Sequence, residues 1–146
     1  MTEKHIEVID ESNKIKVGDI FLIEANEENR ITPKDWDSYR PKYFAVLGVL
    51  SDGSVYGCVV FNSNLNFGCI PQEEIELHLP IQAGSYKFIT HDSFLDCHEL
   101  KPADSRKLLN GKYMGQLTDI HLRKAKELIA LSPHTTFVQL RMFGLK

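Results

Sequence analysis

Tyr43-Phe44-Ala45-Val46-Leu47-Gly48-Val49-Leu50, Ser51-Asp52-Gly53-Ser54 and Val55-Tyr56-Gly57-Cys58-Val59-Val60-Phe61 decide the fold of this chain. Two apolar runs, rich in valine and aromatic residues, flank an Asp-Gly pair. That pair supplies the positive backbone angles a tight turn needs, so the stretch predicts an antiparallel hairpin. Upstream, Gly18-Asp19 precedes Ile20-Phe21-Leu22-Ile23, a short apolar run closed by the polar segment Glu24 to Arg30, which reads as a core strand. Between this strand and the hairpin, Asn26 to Pro41 form a long loop. Within it, Thr32-Pro33-Lys34-Asp35-Trp36 reads as a capped helical turn, with proline at the first helical position.

Downstream of the hairpin the signals shorten. Asn62 to Gly68 is a polar loop, and Ile75 to Leu79 then alternates apolar and polar residues as a half-buried strand does. On that alternation His78 shares the polar side with Glu76 and is expected to be exposed. Tyr86 to Ile89 and Phe94 to Cys97 read as two more short strands. Helices are expected only near the end: Pro102 to Leu109, stopping at Asn110-Gly111, and a longer one capped by Thr118. Leu122, Ala125, Leu128, Ile129 and Leu131 give the longer helix an apolar face until Ser132-Pro133. Phe137 to Leu145 is apolar enough to form an edge strand or pack on a partner. The fold class that follows is α+β, mainly β, with six short antiparallel strands forming a small barrel or a strongly bent sheet, and a C-terminal helix.

Composition sets the outer limits. A chain of 146 residues, 42% hydrophobic and 25% charged, fits one domain over residues 1–146 with a core of about 16–131 and an apolar tail over 132–146. No apolar run approaches the roughly 20 residues of a membrane span and Met1 to Asn13 is charged, so a cytoplasmic protein is expected. Cys58, Cys69 and Cys97 form no C-x-x-C pair and read as reduced, partly buried thiols. The phosphate loop, the dinucleotide fingerprint, the serine elbow and H-E-x-x-H are all absent, and the six histidines show no i, i+4 pair. No metal site built by local spacing and no cofactor are therefore expected, His91 and His98 beside a predicted strand leaving open only a site assembled in space. Residues 1–100 carry 8 Lys and Arg against 17 Asp and Glu, net −9, whereas residues 101–146 carry 9 against 3, net +6. A basic last third suits a phosphate-bearing or acidic partner, and it suits a solvated helix face equally.

The segment with chemical promise is Tyr39-Arg40-Pro41-Lys42. Proline holds the residue before it in extended geometry, so Arg40 is presented from a loop edge, where its guanidinium suits a phosphate. Gly18-Asp19-Ile20, Arg40-Pro41 before the second strand, Asn62-Ser63 after the third, and Asp92-Ser93 leading to Leu100, Asp104 and Gly115-Gln116-Leu117 follow one another in a recognisable order. In that order the chain resembles the MazF/PemK family of growth-inhibiting toxins over roughly residues 16–131.

The resemblance implies an SH3-like barrel, a homodimer, and a metal-independent endoribonuclease that cuts single-stranded RNA. It also implies an acidic antitoxin partner that covers the RNA groove. The family's catalytic arginine maps onto Arg40, and its threonine at the end of the third strand maps onto Asn62, with Ser63 beside it. An asparagine amide or a serine hydroxyl can each donate to a phosphate oxygen. Lys42 adds charge to the same site. Trp36 and Tyr39 are the aromatic candidates for stacking on unpaired bases, Trp36 serving equally well as a packing staple. The alternative is a catalytically inactive barrel that binds RNA or a protein.

Overall fold

The computed structural model describes residues 15–31, 40–62 and 71–142. The hairpin is present: β2 (Arg40–Val49) and β3 (Ser54–Asn62) pair antiparallel through Phe44↔Val59 to Val49↔Val55. At its turn Gly53 has φ +94°, and Leu50 N–H donates to the Ser54 carbonyl at 2.8 Å. β1 (Asp19–Ala25) pairs with β2 from Ile20↔Ala45 to Ala25↔Arg40. Beyond β1 lies β7 (Lys112–Gln116), beyond β3 lies β5 (Ser93–Asp96), and β4 (His78–Ile81) closes the far side. The result is one seven-stranded antiparallel sheet in the order β4-β5-β3-β2-β1-β7, with β6 (Lys101–Asp104) also paired to β3. β3 changes partner along its length, from β6 at Ser54–Gly57 to β5 at Val60–Asn62. Bulges interrupt the register at Leu47 of β2, between the Val46 and Gly48 pairs, and at Met114 of β7, opposite Ile20 and Phe21.

Both faces of the central strands are buried, which explains why the hairpin reads as continuous apolar runs. Ile20, Ala45, Leu47, Cys58, Val60 and Leu95 face a core completed by Ala125 and Ile129 of α3 (Asp119–Leu131). Phe21, Ile23, Phe44, Val46, Val55 and Val59 face a second core closed by Leu108 of α2 (Ser105–Asn110). The Thr118 hydroxyl accepts from His121 N–H and caps α3 as expected. Leu131 does not belong to its buried face: it is 73% exposed, because α3 ends there and the chain turns at Ser132.

Several local expectations are corrected. Ile75–Leu79 is not one strand; α1 (Gln72–Ile75) precedes β4, which begins at His78. Tyr86–Ile89 is a turn closed by Gly84 N–H on the Ile89 carbonyl, and its aromatics Tyr86 and Phe88 pack against the core without sheet pairing. Lys101–Asp104 is strand rather than helix, and β7 was not expected. Phe137–Met142 forms a short helix, α4, in place of an edge strand. Cys58 and Cys97 are free and fully buried, not partly so. Cys58 is hydrogen-bonded to Cys97 and sealed from water, which pushes its thiol well up and makes it inert. Cys69 and the Thr32–Trp36 turn lie outside the described residues. Among the described residues, no helix is long and apolar enough to cross a membrane.

A buried asparagine ties the turn after β1 to the sheet. Asn29 ends the 3₁₀ turn Glu27–Asn29 and is 1% exposed. Its amide donates to the Pro102 carbonyl at 2.9 Å, while its oxygen accepts from Asn26 N–H at 3.1 Å and Lys107 Nζ at 2.7 Å. Asn29→Ala strands these partners, and chemical denaturation should show a loss of about 2 kcal/mol.

A second prediction concerns α3. The Tyr86 hydroxyl accepts from Thr118 N–H at 2.9 Å, so its proton is free for Nδ1 of His121 at 2.8 Å. Burial and the charge of Lys124 hold His121 below the usual imidazole range. Above its unfolded pKa of about 6.5 His121 is neutral in both states; as pH falls the unfolded chain protonates first and stability is lost. His121→Gln keeps an acceptor and does not titrate. Between pH 7 and 5 its melting temperature should therefore fall less than that of the unaltered protein, and an equal fall would contradict the assignment.

Candidate functional site

The strand order places Arg40, Lys42 and Asn62 toward one end of the sheet. β1 ends there at Ala25, opposite Arg40, the first residue of β2. Because β2 and β3 are antiparallel, β3 ends on the same side, at Asn62, whose backbone partner is Ser93, the first residue of β5. Ser93 is buried, and its hydroxyl donates to the His91 carbonyl at 2.9 Å. Lys42 is half-buried opposite Ile23. Trp36, Tyr39 and Ser63 lie outside the described residues. Beside Pro41 a groove of about 600 Å³ opens between β1 and the α2–β7 turn, with Lys107 and Lys112 among its lining residues. These two lysines of the basic last third thus share the groove with Glu24 and Pro41, Lys107 being bonded to Asn29.

At the opposite end of the β4–β5 hairpin sits a cluster that the sequence reading missed. His78, the first residue of β4, pairs with Asp96, the last of β5. His78 is 7% exposed, not on a solvent face as expected, because α1 folds over it. Its Nδ1–H donates to the Glu74 carbonyl at 2.6 Å, leaving Nε2 at 3.6 Å from Asp96 Oδ1. Asp96 Oδ1 also accepts from His98 N–H at 3.0 Å and from His98 Nδ1 at 2.5 Å. His98 Nε2 lies 4.0 Å from Glu74 Oε2, and the His134 ring stands edge-on to the His98 ring at 5.3 Å. Ser132, just past α3, donates its hydroxyl to the His98 carbonyl and accepts from His134 N–H at 3.2 Å.

The charges in this cluster reinforce one another. Burial pushes the Asp96 carboxyl up, but the hydrogen bonds from His98 and the neighbouring imidazoles more than offset it and hold the group below the usual carboxylate range. The same hydrogen bond, helped by the Asp96 and Glu74 charges, raises His98 above the usual imidazole value. Next to it, burial raises Glu99, and Lys101 at 2.9 Å with Arg30 at 3.3 Å brings it back below its ordinary value.

Two spacings carried a faint signal of this cluster: Glu74 and His78 are four apart, and Asp96 and His98 are two apart on one side of a strand end. No family model matches the chain, and no curated protein is found to be similar to it.

Proposed function

We propose that the protein is a toxin-type, metal-independent endoribonuclease that cuts single-stranded RNA from an SH3-like barrel. Its expected setting is a cytoplasmic homodimer controlled by an acidic antitoxin. The observation that carries this reading is the convergence of the Arg40, Asn62 and Ser93 backbones at one end of the sheet. Arg40 stabilises the charge that develops when the ribose 2′-hydroxyl attacks the scissile phosphorus. Asn62 and Ser63 supply hydrogen-bond donors to the phosphate oxygens. Trp36, Tyr39 and Lys42 hold the unpaired strand, and Lys112 adds a further cation from the groove beside Pro41.

Tag-free protein in excess EDTA should cut a single-stranded RNA and leave 2′,3′-cyclic phosphate ends. RNA that is retained but never cut would replace this reading with the inactive binding barrel, to which the asparagine at the threonine position points.

A further inference from the structure

We propose that Glu74, His98 and His134 bind a zinc ion, with Asp96 behind them as the carboxylate that orients His98. Their donor atoms lie within 4.8 Å of one another, and two imidazoles with one carboxylate are a donor set suited to zinc. Around a tetrahedral zinc with bonds of roughly 2.0–2.1 Å, donors sit about 3.4 Å apart. The 4.0 Å between His98 Nε2 and Glu74 Oε2 is too long for a hydrogen bond and needs only a small contraction to embrace an ion.

The inner trio of His78, Asp96 and His98 is just as compact but cannot be the metal site. Its 2.5 Å contact between His98 Nδ1 and Asp96 Oδ1 is a hydrogen bond, far closer than two donors on one ion. That bond instead settles the outer site. An ionised carboxylate only accepts, so Nδ1 of His98 carries the proton and Nε2 is the ring's ligand atom, facing Glu74. A ligating histidine that gives its other N–H to a carboxylate is the usual device for fixing ring orientation and basicity at zinc.

The segments that supply the donors are already tied together. His78 holds the Glu74 carbonyl, and Ser132 joins the His98 carbonyl to the His134 backbone. Glu74 and His98 are half-buried and His134 is exposed, so an ion can reach the site from solvent. Three protein donors leave a fourth position for water. The ion would link α1, the turn after β5 and the segment between α3 and α4. It lies at the other end of β5 from Ser93 and takes no part in the proposed phosphate chemistry.

Tag-free protein, stripped with EDTA and dialysed, should be titrated with ZnSO4 against a chromophoric chelator and followed by thermal melting. One zinc per chain with a Kd near or below 1 μM is expected, and at 100 times Kd the melting temperature should rise by about 5–10 °C. Glu74→Gln and His134→Ala, both at accessible positions, should each weaken binding at least about tenfold. Asp96→Asn should weaken it by about 10–100-fold. The neighbouring Glu76→Gln should bind as the unaltered protein does. Absence of saturable one-to-one binding below about 10 μM would overturn the proposal. So would Glu74→Gln and His134→Ala variants that bind zinc unchanged, since the ion would then sit on other histidines.

Discussion

Gly57→Val is expected to cost about 4 kcal/mol and to lower the melting temperature by about 10 °C, the largest loss of stability at any single position considered for this fold. A Cβ at Gly57 would lie 2.1 Å from the Ala45 carbonyl oxygen and 2.7 Å from Phe44 Cε1. The first contact is with backbone, so no side-chain rotation relieves it; β2 and β3 must separate. Gly57 is also the last β3 residue paired to β6 before the strand turns to β5, and it faces Val46 at the β2 bulge. Against a total stability of typically 5–15 kcal/mol, such a loss leaves little margin. Urea denaturation of Gly57→Ala and Gly57→Val measures it; losses below about 1 kcal/mol would mean that the strands are not held this close.

Arg40→Ala is expected to slow RNA cleavage by at least about 10²–10³-fold, the effect of removing one preorganised donor from a developing oxyanion. Arg40→Lys should recover only part of the rate, since an ammonium keeps the charge but loses the two-pronged geometry that matches a phosphate. Both variants must retain the melting temperature of the unaltered protein for the comparison to report on chemistry. The order alanine, then lysine, then arginine is the signature sought. A fully active Arg40→Ala would remove Arg40 from the site.

The hairpin was legible because its information is local. Asp52-Gly53 has the turn geometry its composition demands, and the flanking valines belong to strands buried on both faces. The α3 helix was legible for the same reason, with its Thr118 cap and its Ala125 and Ile129 face. Lys101–Asp104 was not, because Lys-Pro-Ala-Asp has no strand character of its own and is strand only by pairing with Ser54–Gly57. Tyr86 and Phe88 misled in the opposite direction: their aromatic rings pack against the core from a turn. Arg40 and Asn62 were singled out by a pattern of order along the chain, and the antiparallel pairing of β2 and β3 puts both at the same end of the sheet. The Glu74, His78, Asp96, His98 and His134 cluster had no such pattern. Its members come from α1, β4, the end of β5 and the segment after α3, so only the folded chain brings them together.

The most direct test of the central claim, a phosphate-binding site at the Arg40 end of the sheet, is a ¹⁵N amide chemical-shift titration with a short 2′-O-methyl RNA, which binds but lacks the attacking hydroxyl. The largest shifts should fall on Ala25, Arg40, Lys42, Asn62 and Ser93, which the strand pairing gathers together. Shifts confined to the Glu74, His98 and His134 end, or no shifts at millimolar RNA, would contradict it.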